Sequence, residues 1–153
     1  MTLKERYSKE LLESILQPIA HYVRTTGVHF IEPTDIPNVL IHVDGHRLEQ
    51  VVSNLITNAL KHTEPGDTIS VNTELEQGKL KITIADTGRG ILPQDMPFVF
   101  ERYFQGKTDR GSGTEGSGLG LSICKYIIEA HHGTIFFRSI EGQGTTFYCL
   151  IPL

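Results

Sequence analysis

Apolar residues between Ser8 and Arg24 return at the spacing of one helix face: Leu11, Leu12, Ile15, Leu16, Ile19 and Val23. This predicts a first helix, with Pro18 as its natural kink point. Val39 to Val43 is a short apolar strand, and His46 to His62 carries the clearest helical pattern of the chain. Two alternating runs follow, Thr68 to Glu76 and Lys79 to Ala85, joined by Gln77-Gly78 as a hairpin turn. After Asp86 the pattern breaks into glycines, then gives a short helical stretch from about Phe98 to Tyr103. Residues Gly106 to Gly120 mix glycine with Ser, Thr and charge, a composition that cannot bury a core and predicts a mobile loop. A helix from Leu119 to Ala130 should stop at Gly133. Two strands close the chain, Thr134 to Ile140 and Thr146 to Ile151, joined by Glu141-Gly142-Gln143-Gly144. The predicted order is α-β-α-β-β-α-β-β. It implies an α/β (α+β) two-layer sandwich: a mixed five-stranded sheet with three main helices on one face.

Composition narrows the functional classes. The chain has 153 residues, 39% hydrophobic and 21% charged, which suits one globular domain with one core. A net charge of -4 and a pI of about 5.9 argue against a nucleic-acid binder, whose footprint is usually basic. One phosphate ligand needs only a local patch, so phosphate binding stays open. Cys124 and Cys149 are too few for a disulfide framework and read as small core residues of a reducing compartment. No apolar run approaches a membrane span, and the polar Met1 to Arg6 does not begin a signal peptide.

Three segments carry candidate chemistry. On the helix from His46 to His62, Leu48, Val51, Val52, Leu55, Ile56 and Ala59 form the packing stripe. Gln50, Asn54, Asn58 and Lys61 align on the opposite face. A merely solvated face favours Glu, Lys and Arg, and asparagine is a poor helix former. Asparagine amide oxygens suit Mg²⁺, and Lys61 suits a phosphate as a point charge. A solvated face and a phosphate site are equally compatible with this helix alone. The second segment is Asp86-Thr87-Gly88-Arg89-Gly90 at a strand end. Its carboxylate can accept from an amino group such as that of adenine, and its glycines let backbone approach a ligand; an Asx turn is the plain alternative. The third is Gly116-Ser117-Gly118-Leu119-Gly120-Leu121, running into a helix whose N-terminus can cradle phosphate. Two better-known motifs fail. Gly106-Lys107-Thr108 lacks the upstream P-loop glycine, since Glu101 stands there, and Gly111 to Gly116 follows no strand as a dinucleotide motif would require.

Together and in this order the segments resemble the GHKL ATPase superfamily, and within it the ATP-binding catalytic domain of bacterial sensor histidine kinases. Gln50 to Thr63 resembles the N box, Asp86 to Gly90 the G1 box, Phe100 to Phe104 the F box and Gly116 to Leu121 the G2 box. Gly144-Thr145-Thr146-Phe147 resembles the closing glycine-threonine box. The resemblance implies a Bergerat ATP-binding fold over residues 1–153, with ATP and Mg²⁺ as ligands. It implies Asn54 on Mg²⁺, and Asn58 and Lys61 near the phosphates. It implies Asp86 on the adenine amino group, in a pocket shaped by Gly88 and Gly90. His62 stands where the family often stacks an aromatic ring on the nucleotide, a helix-end cation being the alternative. Residues from about Gln105 to Gly118 become an ATP lid hinged at Phe100 and Phe104, with Gly116, Gly118, Leu119, Gly120, Lys107 and Thr145 around the nucleotide. One departure is Gln105, where these kinases often carry arginine; Lys107 or Arg110 is the candidate replacement, solvated loop charges the alternative.

Hydrolysing GHKL ATPases and serine-kinase anti-sigma factors share this pocket. In the hydrolases a Glu at the Gln50 position activates water, which Gln cannot do, and Phe100-Glu101-Arg102-Tyr103-Phe104 resembles the kinases more. None of the histidines has the context of a phosphoacceptor. His131 and His132 read as cations at a helix C-terminus. The resemblance thus implies phosphoryl transfer to a histidine on a separate dimerisation domain of the same kinase, with a response regulator as the indirect partner. The chain is then expected to begin after the dimerisation helices, to be cytoplasmic, attached to a parent that can be membrane-anchored, and to be monomeric in isolation.

Overall fold

The computed structural model describes residues 1–102 and 120–153. Its elements are β1 (Lys4–Tyr7), α1 (Ser8–Thr25), β2 (His29–Ile31), β3 (Leu40–Val43), α2 (Gly45–Lys61), β4 (Thr68–Glu76), β5 (Lys79–Asp86), a 3-10 turn (Met96–Phe98), α3 (Gly120–Ala130), β6 (Thr134–Ile140) and β7 (Gly144–Pro152). A five-stranded mixed sheet runs in the order β2-β4-β5-β7-β6. Only β2 lies parallel to its neighbour β4; the other pairs are antiparallel.

Strict alternation builds the sheet. Ile69 and Val71 on β4, Leu80, Ile82 and Ile84 on β5, and Phe147, Cys149 and Ile151 on β7 are all buried on one face. Against them lie Leu12, Ile15 and Leu16 of α1, the whole predicted stripe of α2, and Cys124, Ile127 and Ile128 of α3. The sandwich has the layers expected of it, with one contiguous core. The Gln77-Gly78 turn has φ of 51° and 76°, the left-handed pair that a two-residue hairpin needs.

The five strands of the sheet are not the five expected. The predicted strand at Val39–Val43 lies outside it: β3 pairs antiparallel with β1, from Lys4↔Val43 to Tyr7↔Leu40, as a separate ribbon. Its place is taken by β2, three residues long and too short for any alternation to show. The helical stretch placed at Phe98–Tyr103 is shorter and earlier, a single turn at Met96–Phe98, with Pro97 at its start. Tyr103 lies outside the described residues.

Candidate nucleotide site

The helix α2 begins at Asp44, whose carboxylate accepts from the Arg47 N–H at 3.2 Å and caps the first turn. The register so set turns Asn54 and Asn58 to one side, where both are half-buried. The Asn54 side chain is not solvated. Its Nδ2 donates to the Gly120 carbonyl at the start of α3, at 3.3 Å. With the amide nitrogen so used, the Asn54 oxygen is the atom suited to meet a cation. The next turn holds Asn58, whose Nδ2 is buried and has no hydrogen-bond partner among the described residues. A buried donor of this kind is costly unless something accepts from it, and a phosphate oxygen is such an acceptor. Half-buried Lys61 follows one turn on.

The end of α2 is tied to the loop after β5. The His62 carbonyl accepts from the Arg89 N–H at 2.9 Å, so the helix end and the Asp86–Gly90 segment form one wall. That approach requires Gly88, because a Cβ there would collide with the His62 carbonyl. Gly90 has φ of 75° and faces the Ile140 carbonyl as closely. Asp86 itself is buried, and its Oδ1 accepts from the Gly88 N–H at 2.9 Å. Burial pushes its carboxyl above the ordinary range; the Gly88 N–H, the nearby His62 and the Thr145 N–H pull it back. Thr145, directly opposite Asp86 on β7, is also buried. His62 is buried at the same wall.

The remaining expected site residues divide. Phe100 is anchored: it meets Phe137 and Phe147 edge-on, with centroids 5.8 and 6.1 Å away, and Lys125 Nζ sits 5.7 Å from its ring centre. Gln50 Oε1 accepts from Arg47 at 3.0 Å. Gly120 opens α3 against Asn54. The lid reading for Gln105–Gly118, with Phe104, Lys107, Arg110, Gly116, Gly118 and Leu119, falls on 103–119, outside the described residues. Among the described residues no group of three or more His, Cys, Asp or Glu could hold a metal, so a cation here would rest on Asn54 and on the phosphates themselves.

One contributor to the support of α2 was missed from sequence. The ring of His131 is buried, with Nδ1 2.8 Å from the Ile127 carbonyl and Nε2 accepting from the Asp44 N–H at 3.1 Å. His131 is thus a clamp between α3 and the cap of α2, enclosed in the fold where a helix-end residue facing solvent was expected. Only tertiary structure brings Asp44 to it. Cys124 lies under Asn54, its thiol 3.6 Å from the Val51 carbonyl. Burial pushes that thiol up to about 12, so it stays protonated and packs, as expected of a core cysteine.

The sequence profile of the histidine kinase-, DNA gyrase B- and HSP90-like ATPases matches residues 43–153. Fold and match together define the class: the chain belongs to that ATPase family. Within it the chain is of the histidine kinase kind. The catalytic domain of histidine kinase ThkA is 30% identical and superposes with a TM-score of 0.83, covering 99% of this chain and 96% of that one. Sensor protein SrrB of Staphylococcus aureus is 43% identical over 109 residues, which are 71% of this chain and 19% of the relative. Full-length ShkA, solved in complex with AMPPNP, is 25% identical with a TM-score of 0.82, over 99% of this chain and 31% of that one. Nucleotide binding follows from the family.

Proposed function

We propose that this domain binds ATP with Mg²⁺ and transfers the γ-phosphoryl group to a histidine on a separate dimerisation domain, as one step of two-component signalling. The whole of residues 1–153 acts as the catalytic unit in this reading. The adenine amino group donates to the Asp86 carboxylate, against a wall made by Gly88, Gly90 and His62. Asn58 Nδ2 and Lys61 hold phosphate oxygens. The metal would be held by the Asn54 oxygen together with the phosphates, where it would screen charge on the phosphoryl group and on the leaving ADP. The acceptor imidazole nitrogen forms the new bond to phosphorus as the bond to the β–γ bridging oxygen breaks; the electron pair leaves on ADP. The protein's part is positioning and charge neutralisation.

The observation that carries transfer over hydrolysis lies on α2. Water attack needs a base there, and Gln50 has none, its amide oxygen being engaged by Arg47. The neighbouring carboxylate, Glu49, lines a groove with Thr2, Lys4 and Ile15 on a different side of the helix from Asn54. The partners of this reading are the dimerisation domain and, through it, a response regulator. No described helix is long and apolar enough to cross a membrane; a cytoplasmic place is proposed because ATP and the regulator are found there. Steady-state assay of the isolated domain with ATP·Mg²⁺ tests the point. Turnover should stay at a trace; rapid phosphate release would favour the hydrolase members of the family.

A further inference from the structure

Ser139 sits beside the adenine wall and was not part of any motif. On one face of the sheet, Ser139 of β6, Thr145 of β7 and Asp86 of β5 stand side by side as successive cross-strand partners. The Ser139 hydroxyl meets three groups. It accepts from the Ile91 N–H at 2.8 Å, donates to the Gly144 carbonyl at 3.1 Å, and lies 2.9 Å from Thr145 Oγ1. A serine hydroxyl has one hydrogen and two lone pairs. The hydrogen goes to Gly144 and one lone pair takes Ile91, so the contact with Thr145 is satisfied only if Thr145 is the donor.

From this count we infer that Ser139 is a positioning residue for base recognition: it draws the Thr145 hydroxyl hydrogen away from Asp86. The Asp86 carboxyl already accepts from the Gly88 N–H and is held by the Thr145 N–H. With the Thr145 hydroxyl turned toward Ser139, no further protein hydroxyl competes with a ligand amino group for the remaining lone pairs of the carboxylate. Without Ser139, the next acceptor along the row for the Thr145 hydroxyl is that carboxylate, directly across the strand pair. The inference rests on the proposed adenine pocket at Asp86.

Calorimetric titration of the 153-residue chain with ATP·Mg²⁺ and with purine riboside triphosphate, which lacks the amino group, tests it. Ser139→Ala should weaken ATP binding roughly tenfold, the worth of about one hydrogen bond, and leave the amino-free nucleotide unchanged. Ser139→Thr, which keeps an accepting hydroxyl, should keep most of the ATP affinity. Equal weakening of both nucleotides in Ser139→Ala, or the same loss in Ser139→Thr, would show Ser139 to be structural only and overturn the inference. If Ser139→Ala does not fold, Ser139→Cys, with a weaker acceptor, takes its place and should show the same selective loss. Asp86→Asn is the separate control: unchanged ATP affinity there would reject the adenine pocket itself, whatever Ser139 does.

Discussion

At Asp86 the proposed recognition of the base works against stability at a single residue. Its carboxyl is held above the usual range chiefly by burial, so the folded chain holds that proton more tightly than the unfolded chain. Any stability linked to Asp86 is therefore fully present below the unfolded pKa and is lost as pH rises through the raised folded one. Above that folded pKa the ionised group is a cost. Asp86→Asn keeps the acceptor for the Gly88 N–H and removes the charge. Without nucleotide it should melt no lower than the wild type near neutrality, and any advantage should shrink as pH falls toward 4. With ATP it should lose about 1–3 kcal/mol of binding. Thermal melts across pH, paired with calorimetry, check both signs. A variant that melts lower at pH 8 but binds ATP normally would reverse the assignment. The carboxylate and its glycines were visible in sequence only through their place among the other motifs; the Asx turn that was the plain alternative is also formed, by the Gly88 N–H on Asp86. Ser139 and His131 were not visible, since their partners Thr145, Gly144, Ile91 and Asp44 become neighbours only through strand pairing and helix packing.

Helix α2 and its support form the phosphate side of the proposed site. Asn54 bonds to the first residue of α3, so it has a structural duty beside its proposed hold on the cation. Asn54→Ala should abolish the Mg²⁺-dependent part of ATP binding and also cost about 0.5–1.5 kcal/mol of stability. Denaturant melts and titrations with and without Mg²⁺ separate the two effects. Persistence of the Mg²⁺ dependence would leave Asn54 as structure alone. At the other end of the helix, His131→Ala removes the acceptor for the Asp44 N–H and leaves a cavity. A loss of about 2–4 kcal/mol in unfolding free energy is expected. A loss below about 0.5 kcal/mol would mean that the clamp is idle. Long periodic elements were legible: α1, α2, β4, β5 and β7 fall within a residue or two of where periodicity puts them. The misassignments concern short strands. Leu40–Val43 reads as a sheet strand because its alternation is sound, yet its partner is β1 and not β4. Three-residue β2 has no pattern to read, and only its parallel register with Thr68–Ser70 makes it a strand.

For the whole molecule the central claim is that the site passes a phosphoryl group to a histidine elsewhere. The chain matches 19% of the length of the sensor protein SrrB, and in the proposed reading the acceptor comes from another segment. His62 and His131 are enclosed in the fold, and His21, His29, His42, His46 and His132 are exposed. The direct test is γ-labelled ATP·Mg²⁺ given to this domain alone and with the dimerisation domain of its own parent kinase. Alone, the domain should take up no label. With the partner, label should appear on the partner's histidine, labile to acid and stable to base as a phosphoramidate is. Labelling that survives acid on a serine, or rapid phosphate release with no labelled partner, would contradict the account.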